Sequence, residues 1–148
     1  MEILPQFLAY AGDFERTLAD DDWTRLRRYF ADDAVYEVKA DEFGCRLTGP
    51  AAIFKGIKKS LDGFDRKFDK RDIEVTSGPD VSGDQMQLGW KVVYTKEGVP
   101  PFVLRGSSTV RYAGDKIVYL ADSYDRSMED EMAAWQRQTG LAFDASYT

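Results

Sequence analysis

An α+β domain built on a curved antiparallel sheet is what this sequence predicts, and three observations predict it. Helical periodicity occupies the first part of the chain, β-rich alternating runs separated by turn residues occupy most of the rest, and aromatic side chains are plentiful: nine Phe, eight Tyr and three Trp in 148 residues. Helices first and hairpins after point to an α+β arrangement rather than to alternating β–α units. The aromatic content favours a concave apolar cavity over a flat charged surface. Length, with no internal repeat or linker, gives one domain over residues 1–148.

The elements follow in order. Phe7, Tyr10, Phe14 and Leu18 recur at helical spacing and give an amphipathic helix over residues 5–19. Asp20-Asp21-Asp22 breaks it and caps a short second helix through Trp23, Leu26 and Phe30. Residues 35–39 alternate as a strand, and residues 42–47 return as a short hairpin arm. Gly49-Pro50 opens a third helix, because proline is well tolerated at the first helical position. It carries Ile53, Phe54, Ile57 and Leu61 inward and ends near Gly63. Strands are then expected over 73–76, 85–96, 102–112 and 116–124. Turns are expected at Ser77-Gly78-Pro79-Asp80, Gly98-Val99-Pro100-Pro101 and Ala113-Gly114-Asp115. Ser127, with Asp130 three residues on, is placed to cap a final helix through Met132 and Trp135.

Composition excludes several chemistries. There is no histidine, so the commonest general base near neutral pH and the commonest transition-metal ligand are both missing. With Cys45 as the only cysteine, an ordinary zinc site is unavailable to the chain, and Ser-His or Cys-His nucleophilic pairs are excluded. Acid–base chemistry must come from carboxylates, phenols or lysines, and neither a metal nor a cofactor is implied. A net charge of −6 disfavours nucleic acid as a partner. No apolar run approaches the roughly 20 residues that span a bilayer, and no basic-then-apolar leader precedes Phe7, so no membrane partner is expected and the expected location is the cytoplasm. A single cysteine agrees with a reducing compartment.

Strand alternation sorts side chains by face. Tyr36 and Val38 share one face of the first strand, with Glu37 opposite. Trp90, Val92 and Tyr94 form a second set, Leu104, Gly106, Ser108 and Val110 a third, and Leu120, Asp122 and Tyr124 a fourth. These sets are expected to line the concave side. Asp122 is the odd member, a carboxylate in a row of Leu and Tyr. Burying it costs several kcal/mol unless it is paired, hydrogen-bonded or protonated, and desolvation pushes its pKa towards values useful for proton transfer. Tyr36, Tyr94 and Ser108 are the candidate donors to it. Asp122 then reads either as an acid–base group or as a structural aspartate bonded to a tyrosine or to backbone.

The junction from Tyr29 to Val38 (Tyr-Phe-Ala-Asp-Asp-Ala-Val-Tyr-Glu-Val), followed by Leu47-Thr48-Gly49-Pro50 and an amphipathic helix, resembles the opening of the pocket in the nuclear-transport-factor-like superfamily. Ketosteroid isomerases, limonene-epoxide hydrolases, scytalone dehydratases and small polyketide cyclases belong to that superfamily. The resemblance implies a cone: a curved antiparallel sheet wrapped around N-terminal helices, with an internal pocket for a hydrophobic small molecule. It also implies a homodimer formed through the outer sheet face, where Glu37, Arg105 and Arg111 should project. Residues 117–125 look like the last strand of the epoxide hydrolases and cyclases, which implies acid–base work for Asp122. Against the isomerase pattern, Phe14 stands where a helix-one tyrosine would polarise a carbonyl, Val38 stands at the base position, and Ser108 falls at the second oxyanion donor. Against the hydrolase pattern, Trp90, Val92 and Tyr94 stand where an arginine and an aspartate two apart would lie. The scytalone dehydratases and most cyclases lean on histidines this chain lacks.

The expected site is therefore Asp122 with Tyr36, Tyr94 and Ser108, in a cavity lined by Phe14, Val38, Phe54, Ile57, Trp90, Val92, Leu104, Leu120 and Tyr124. The expected activity is that of a cofactor-independent lyase, isomerase or hydrolase, with a non-catalytic binding or sensing domain and an outer-face interaction module as the alternatives. The basic stretch from Lys55 to Arg71 reads as a solvated helix face, and the aspartate runs read as caps. Cys45 reads as a small buried or hairpin residue, since no base accompanies it. Trp23 and Trp135 read as helix-packing residues, with a cavity-mouth role as the alternative. The segment from Gln136 to Thr148 is expected either to fold over the pocket or to fray.

Overall fold

A computed structural model describes residues 2–148. Helix α1 (Ile3–Asp20) ends where Asp21 turns left-handed at φ 63° and returns its N–H to the Thr17 carbonyl. The expected short second helix is present as a 3₁₀ helix, Trp23–Tyr29, and Phe30 belongs to the following strand instead of the helix. Only seven residues lie between the Asp22 cap, whose carboxylate accepts from the Thr24 N–H, and the first strand. That is too short for the costly nucleus of an α-helix to be repaid.

Strand β1 (Phe30–Lys39) begins five residues before its alternation becomes legible, because its pairing is irregular between Phe30 and Val35. A short β2 (Cys45–Thr48) folds back on it. Helix α2 (Pro50–Gly63) starts with proline in the first turn and is followed by a 3₁₀ turn, Asp65–Lys67. Strands β3 (Lys70–Ser82), β4 (Gln85–Thr95), β5 (Phe102–Ala113) and β6 (Lys116–Tyr124) form consecutive antiparallel neighbours. Helix α3 (Met128–Thr139) closes the order. Ser127 does not form the expected capping box; its hydroxyl bonds the Glu131 carboxylate instead.

The sheet runs β2-β1-β6-β5-β4-β3. It is curved and open, as expected of the cone, but it is not wholly antiparallel: β1 and β6 run parallel. The expected turn at Ser77–Asp80 is also corrected. Those residues stay in β3, which is irregular on both sides of Ser77 in its register with β4, and the chain reverses at Gly83 instead. An edge strand tolerates Pro79 and such bulges because one side of its ladder is unpaired.

Two apolar clusters fill the concave side. One packs α1, the first 3₁₀ helix and α2 on β1, β6 and the adjacent part of β5, around Tyr10, Leu26, Phe30, Ile53 and Ile117. The other packs α3 and the Asp65–Lys67 region against β4 and β5, around Phe64, Phe68, Tyr94, Phe102 and Trp135. The tail after α3 crosses α2. Asp144 N–H donates to the Gly63 carbonyl (3.0 Å), and the Ser60 hydroxyl donates to the Ala145 carbonyl (2.6 Å). A cavity remains where the two clusters meet, with walls drawn from both.

Candidate active site

Asp122 sits on β6 with Ser108 opposite it on β5 and Val38 beside it on β1. Its two carboxylate oxygens have different partners. The Ser108 hydroxyl donates to Oδ1 (2.6 Å), and the Tyr36 hydroxyl donates to Oδ2 (2.5 Å). Ser108 is itself held by the Trp90 indole N–H, which donates to Oγ at 2.9 Å. A relay therefore runs from Trp90 through Ser108 to Asp122, with each hydroxyl oriented by its neighbour.

Burial raises the Asp122 pKa above its ordinary 3.8, and the hydrogen bonds from Ser108 and Tyr36 only partly oppose that rise. Asp122 nonetheless keeps some accessible surface. Both observations hold because the carboxylate is surrounded by protein but forms part of a cavity wall. The cavity measures about 460 Å³, within the range of small-molecule sites. Its walls are mostly apolar.

Of the expected lining, Phe14, Ile57, Trp90, Val92, Leu104, Leu120 and Tyr124 face this cavity together with Asp122, Tyr36 and Ser108. Three expectations are corrected. Tyr94 lines the cavity but does not reach Asp122; its hydroxyl donates to Asp65 Oδ2 at 3.0 Å. Val38 is buried in the first apolar cluster, outside the lining. Phe54 is rotated off the inward stripe of α2 and packs on Trp23 and Phe30, with ring centroids 5.7 and 5.5 Å away. Neither Trp23 nor Trp135 lines the cavity; Trp135 donates to the Pro100 carbonyl within the second cluster.

Sequence reasoning missed four groups. Tyr10, one helical turn before Phe14, lines the cavity, and its phenol is held neutral by burial and then by the Asp122 charge. The stripe containing both residues was visible, but periodicity does not say which of them reaches deeper. Tyr147 enters from the tail, where its hydroxyl meets that of Tyr124 at 3.0 Å. Burial, with the Asp122 charge second, pushes its pKa up to about 12. Asp65 and Arg71 also line the cavity, from a short 3₁₀ turn and an irregular strand that carry no readable period.

Surface features resolve without a ligand. Lys58, Lys59 and Arg66 are paired with Asp21, Asp62 and Asp144. On the outer sheet face Glu37 bonds Arg46 and Tyr119, and Arg111 lies over the Tyr119 ring. Among the described residues, no three cysteine or carboxylate side chains converge as a metal would require, and no helix is long and apolar enough to cross a membrane.

Comparison with known proteins agrees with this architecture. A protein from Catenulispora acidiphila with a ketosteroid isomerase-like fold, solved in complex with trimethylamine, is 22% identical with a TM-score of 0.61, over 90% of this chain and 93% of that one. A candidate isomerase from Bacillus subtilis is 16% identical with a TM-score of 0.66, over 97% and 99%. A candidate polyketide cyclase from Xanthomonas campestris is 17% identical with a TM-score of 0.57, over 88% and 96%. At such identities the likeness concerns the fold alone. No curated protein matches the sequence. The family model of the SnoaL-like domain matches residues 11–120, from the middle of α1 to Leu120 in β6, and by that match the chain belongs to the SnoaL-like domain family.

Proposed function

We propose that this protein binds a small hydrophobic molecule and moves a proton on it without a cofactor, as a lyase, isomerase or hydrolase with Asp122 as the acid–base group. One observation carries the reading: an enclosed carboxylate, oriented by Tyr36 and Ser108, forms part of the wall of an open apolar cavity. A carboxylate whose pKa burial raises is a stronger base than a solvated one, and its protonated form persists to higher pH, where it can serve as the acid. Tyr36 and Ser108 fix its orientation. The neutral phenol of Tyr10 is suited to hold a substrate oxygen while charge develops on it. The fold neighbours described as a candidate isomerase and a candidate cyclase support this class of chemistry.

A second reading is a non-catalytic ligand-binding domain. It is favoured by the engagement of both Asp122 oxygens within the protein and by the fold neighbour holding trimethylamine. An outer-face interaction module is less well supported, because the cavity is open rather than plugged by Trp90, Phe54 and Tyr94.

Native mass spectrometry of the purified protein identifies the co-purifying molecule, and Asp122→Asn then separates the readings. For an enzyme, the variant keeps ligand affinity and loses about 100-fold or more in turnover. Unchanged turnover in a folded Asp122→Asn protein removes the catalytic reading; weakened affinity with no turnover in either protein supports the binder.

A further inference from the structure

At the other end of the cavity lies a second polar cluster that the acid–base reading does not use. Asp65 Oδ2 accepts from Arg71 Nε (2.8 Å) and from the Tyr94 hydroxyl (3.0 Å), and Arg71 Nη1 reaches both Glu15 oxygens (2.9 and 3.2 Å). All four residues line the cavity. The side chains of Asp65 and Arg71 are only 12% and 15% exposed, so this is an enclosed group and not a surface ion pair. Nη2 of Arg71 has no hydrogen-bond partner among the described residues.

Strand register gives the separation from Asp122. Asp122 pairs with Ser108, Ser108 with Leu88, and Tyr94 lies six residues further along β4 from Leu88. At about 3.3 Å per residue the two backbone positions are roughly 20 Å apart, and inward-pointing side chains shorten that span. Between the two polar ends the wall is mostly apolar, with Trp90, Val92 and Leu104, and the Tyr124 hydroxyl there is taken up by that of Tyr147. The lining thus alternates polar, apolar and polar along its length.

Charge narrows the ligand further. Among the described residues, Arg71 is the only basic group in the lining, against Glu15, Asp65 and Asp122. Two carboxylates already flank it. An anionic ligand would find no uncommitted cation here and three acidic groups.

Resting on the small-molecule reading above, we propose that Tyr94, Asp65 and Arg71 form a second anchor for the far end of the ligand. The cavity then selects an elongated, uncharged molecule with a polar oxygen at each end and a hydrophobic middle. The Tyr94 hydroxyl and Arg71 Nη2 are the groups that meet the distal oxygen; Asp65 and Glu15 position them.

Calorimetric titration of the full chain with three biphenyls tests this. The probes are 4-hydroxybiphenyl, 4,4′-dihydroxybiphenyl and 4′-hydroxybiphenyl-4-carboxylate. The diol is expected to bind about tenfold tighter than the monophenol, the gain of one hydrogen bond to an enclosed polar group, and the carboxylate more weakly than either. Tyr94→Phe, which leaves the Asp65–Arg71 pair in place, should close the gap between diol and monophenol. Equal affinities for those two in the unmodified protein overturn the second anchor and leave the cavity reading standing. So does a gap that survives Tyr94→Phe, or a carboxylate that binds as tightly as the diol. Failure of all three biphenyls to bind overturns the small-molecule reading itself, and the anchor with it.

Discussion

Asp13 accepts from the Tyr29 hydroxyl (2.5 Å) and from Arg28 (2.8 Å), and these contacts, the Tyr29 bond first, hold its pKa below the ordinary 3.8. Among the described residues no cation lies beside Asp122, and burial moves its pKa the other way. Linkage gives opposite signs for the two. The Asp13 contribution is present above 3.8 and is lost as pH falls through its lowered value. The Asp122 contribution is greatest below 3.8 and is lost as pH rises through its raised value, so at neutral pH the burial of this carboxyl is a burden on the fold. Asp122→Asn is therefore expected to be more stable than the unmodified protein at pH 7, with the difference vanishing near pH 4; Asp13→Asn is expected to be less stable at pH 7. Urea melts at the two pH values check both, and a destabilised Asp122→Asn at pH 7 would contradict the burial account. Tyr36→Phe leaves a buried carboxyl oxygen without its donor and should cost about 1–3 kcal/mol in the same melts. Residues on regular strands were placed from the sequence because alternation fixes their face: Tyr36, Ser108 and Asp122 share the cavity wall for that reason. Tyr94 shares the face as well, but face alone does not specify a hydrogen-bond partner six residues along the strand.

Elements with a clean period were legible to within a few residues, as α1, α2, β4, β5 and β6 show. Those shaped by a tertiary partner were not. β3 continues through a Ser-Gly-Pro-Asp sequence that local turn chemistry would end, because its ladder with β4 resumes at Asp80. The tail has no period to read, and its course is set by a glycine on another element. A Cβ on Gly63 would lie 2.0 Å from the Asp144 carbonyl oxygen, so only glycine lets the tail cross α2 there. Gly63→Ala must displace the tail or the end of the helix, at about 1–3 kcal/mol as for other overpacked sites. Because Ala145 and Tyr147 line the cavity, the same change should loosen ligand binding and expose residues 141–148 to carboxypeptidase. An unchanged melting temperature with a protease-resistant tail would show that the tail does not depend on this crossing.

At the scale of the whole molecule, the mouth of the cavity lies between α1 and the edge strand. Phe7, Leu8 and Ala11 form one lip, and Ile73, Val75 and Pro79 form the other. Ile73 and Val75 face the concave side, opposite Val92 and Trp90, yet remain 54% and 50% exposed, because β3 overhangs the opening with little packed on it. Its pairing with β4 is interrupted on either side of Ser77, and its other edge has no neighbour. Sparse packing and a broken ladder place such a segment at the low end of local stability. We therefore expect a ligand to pass by local opening of β3 and not by separation of the tail from α2, which the Asp144–Gly63 backbone hydrogen bond, the Ser60 hydroxyl bond to Ala145 and a glycine crossing hold down. Hydrogen exchange distinguishes the routes. Amides of residues 73–81 should exchange faster than those of β5 and β6, and a bound hydrophobic ligand should slow them most, because it fills the space behind their side chains. If protection on binding instead falls on residues 141–148 while β3 is unchanged, the ligand passes beneath the tail and Tyr147 is the gate.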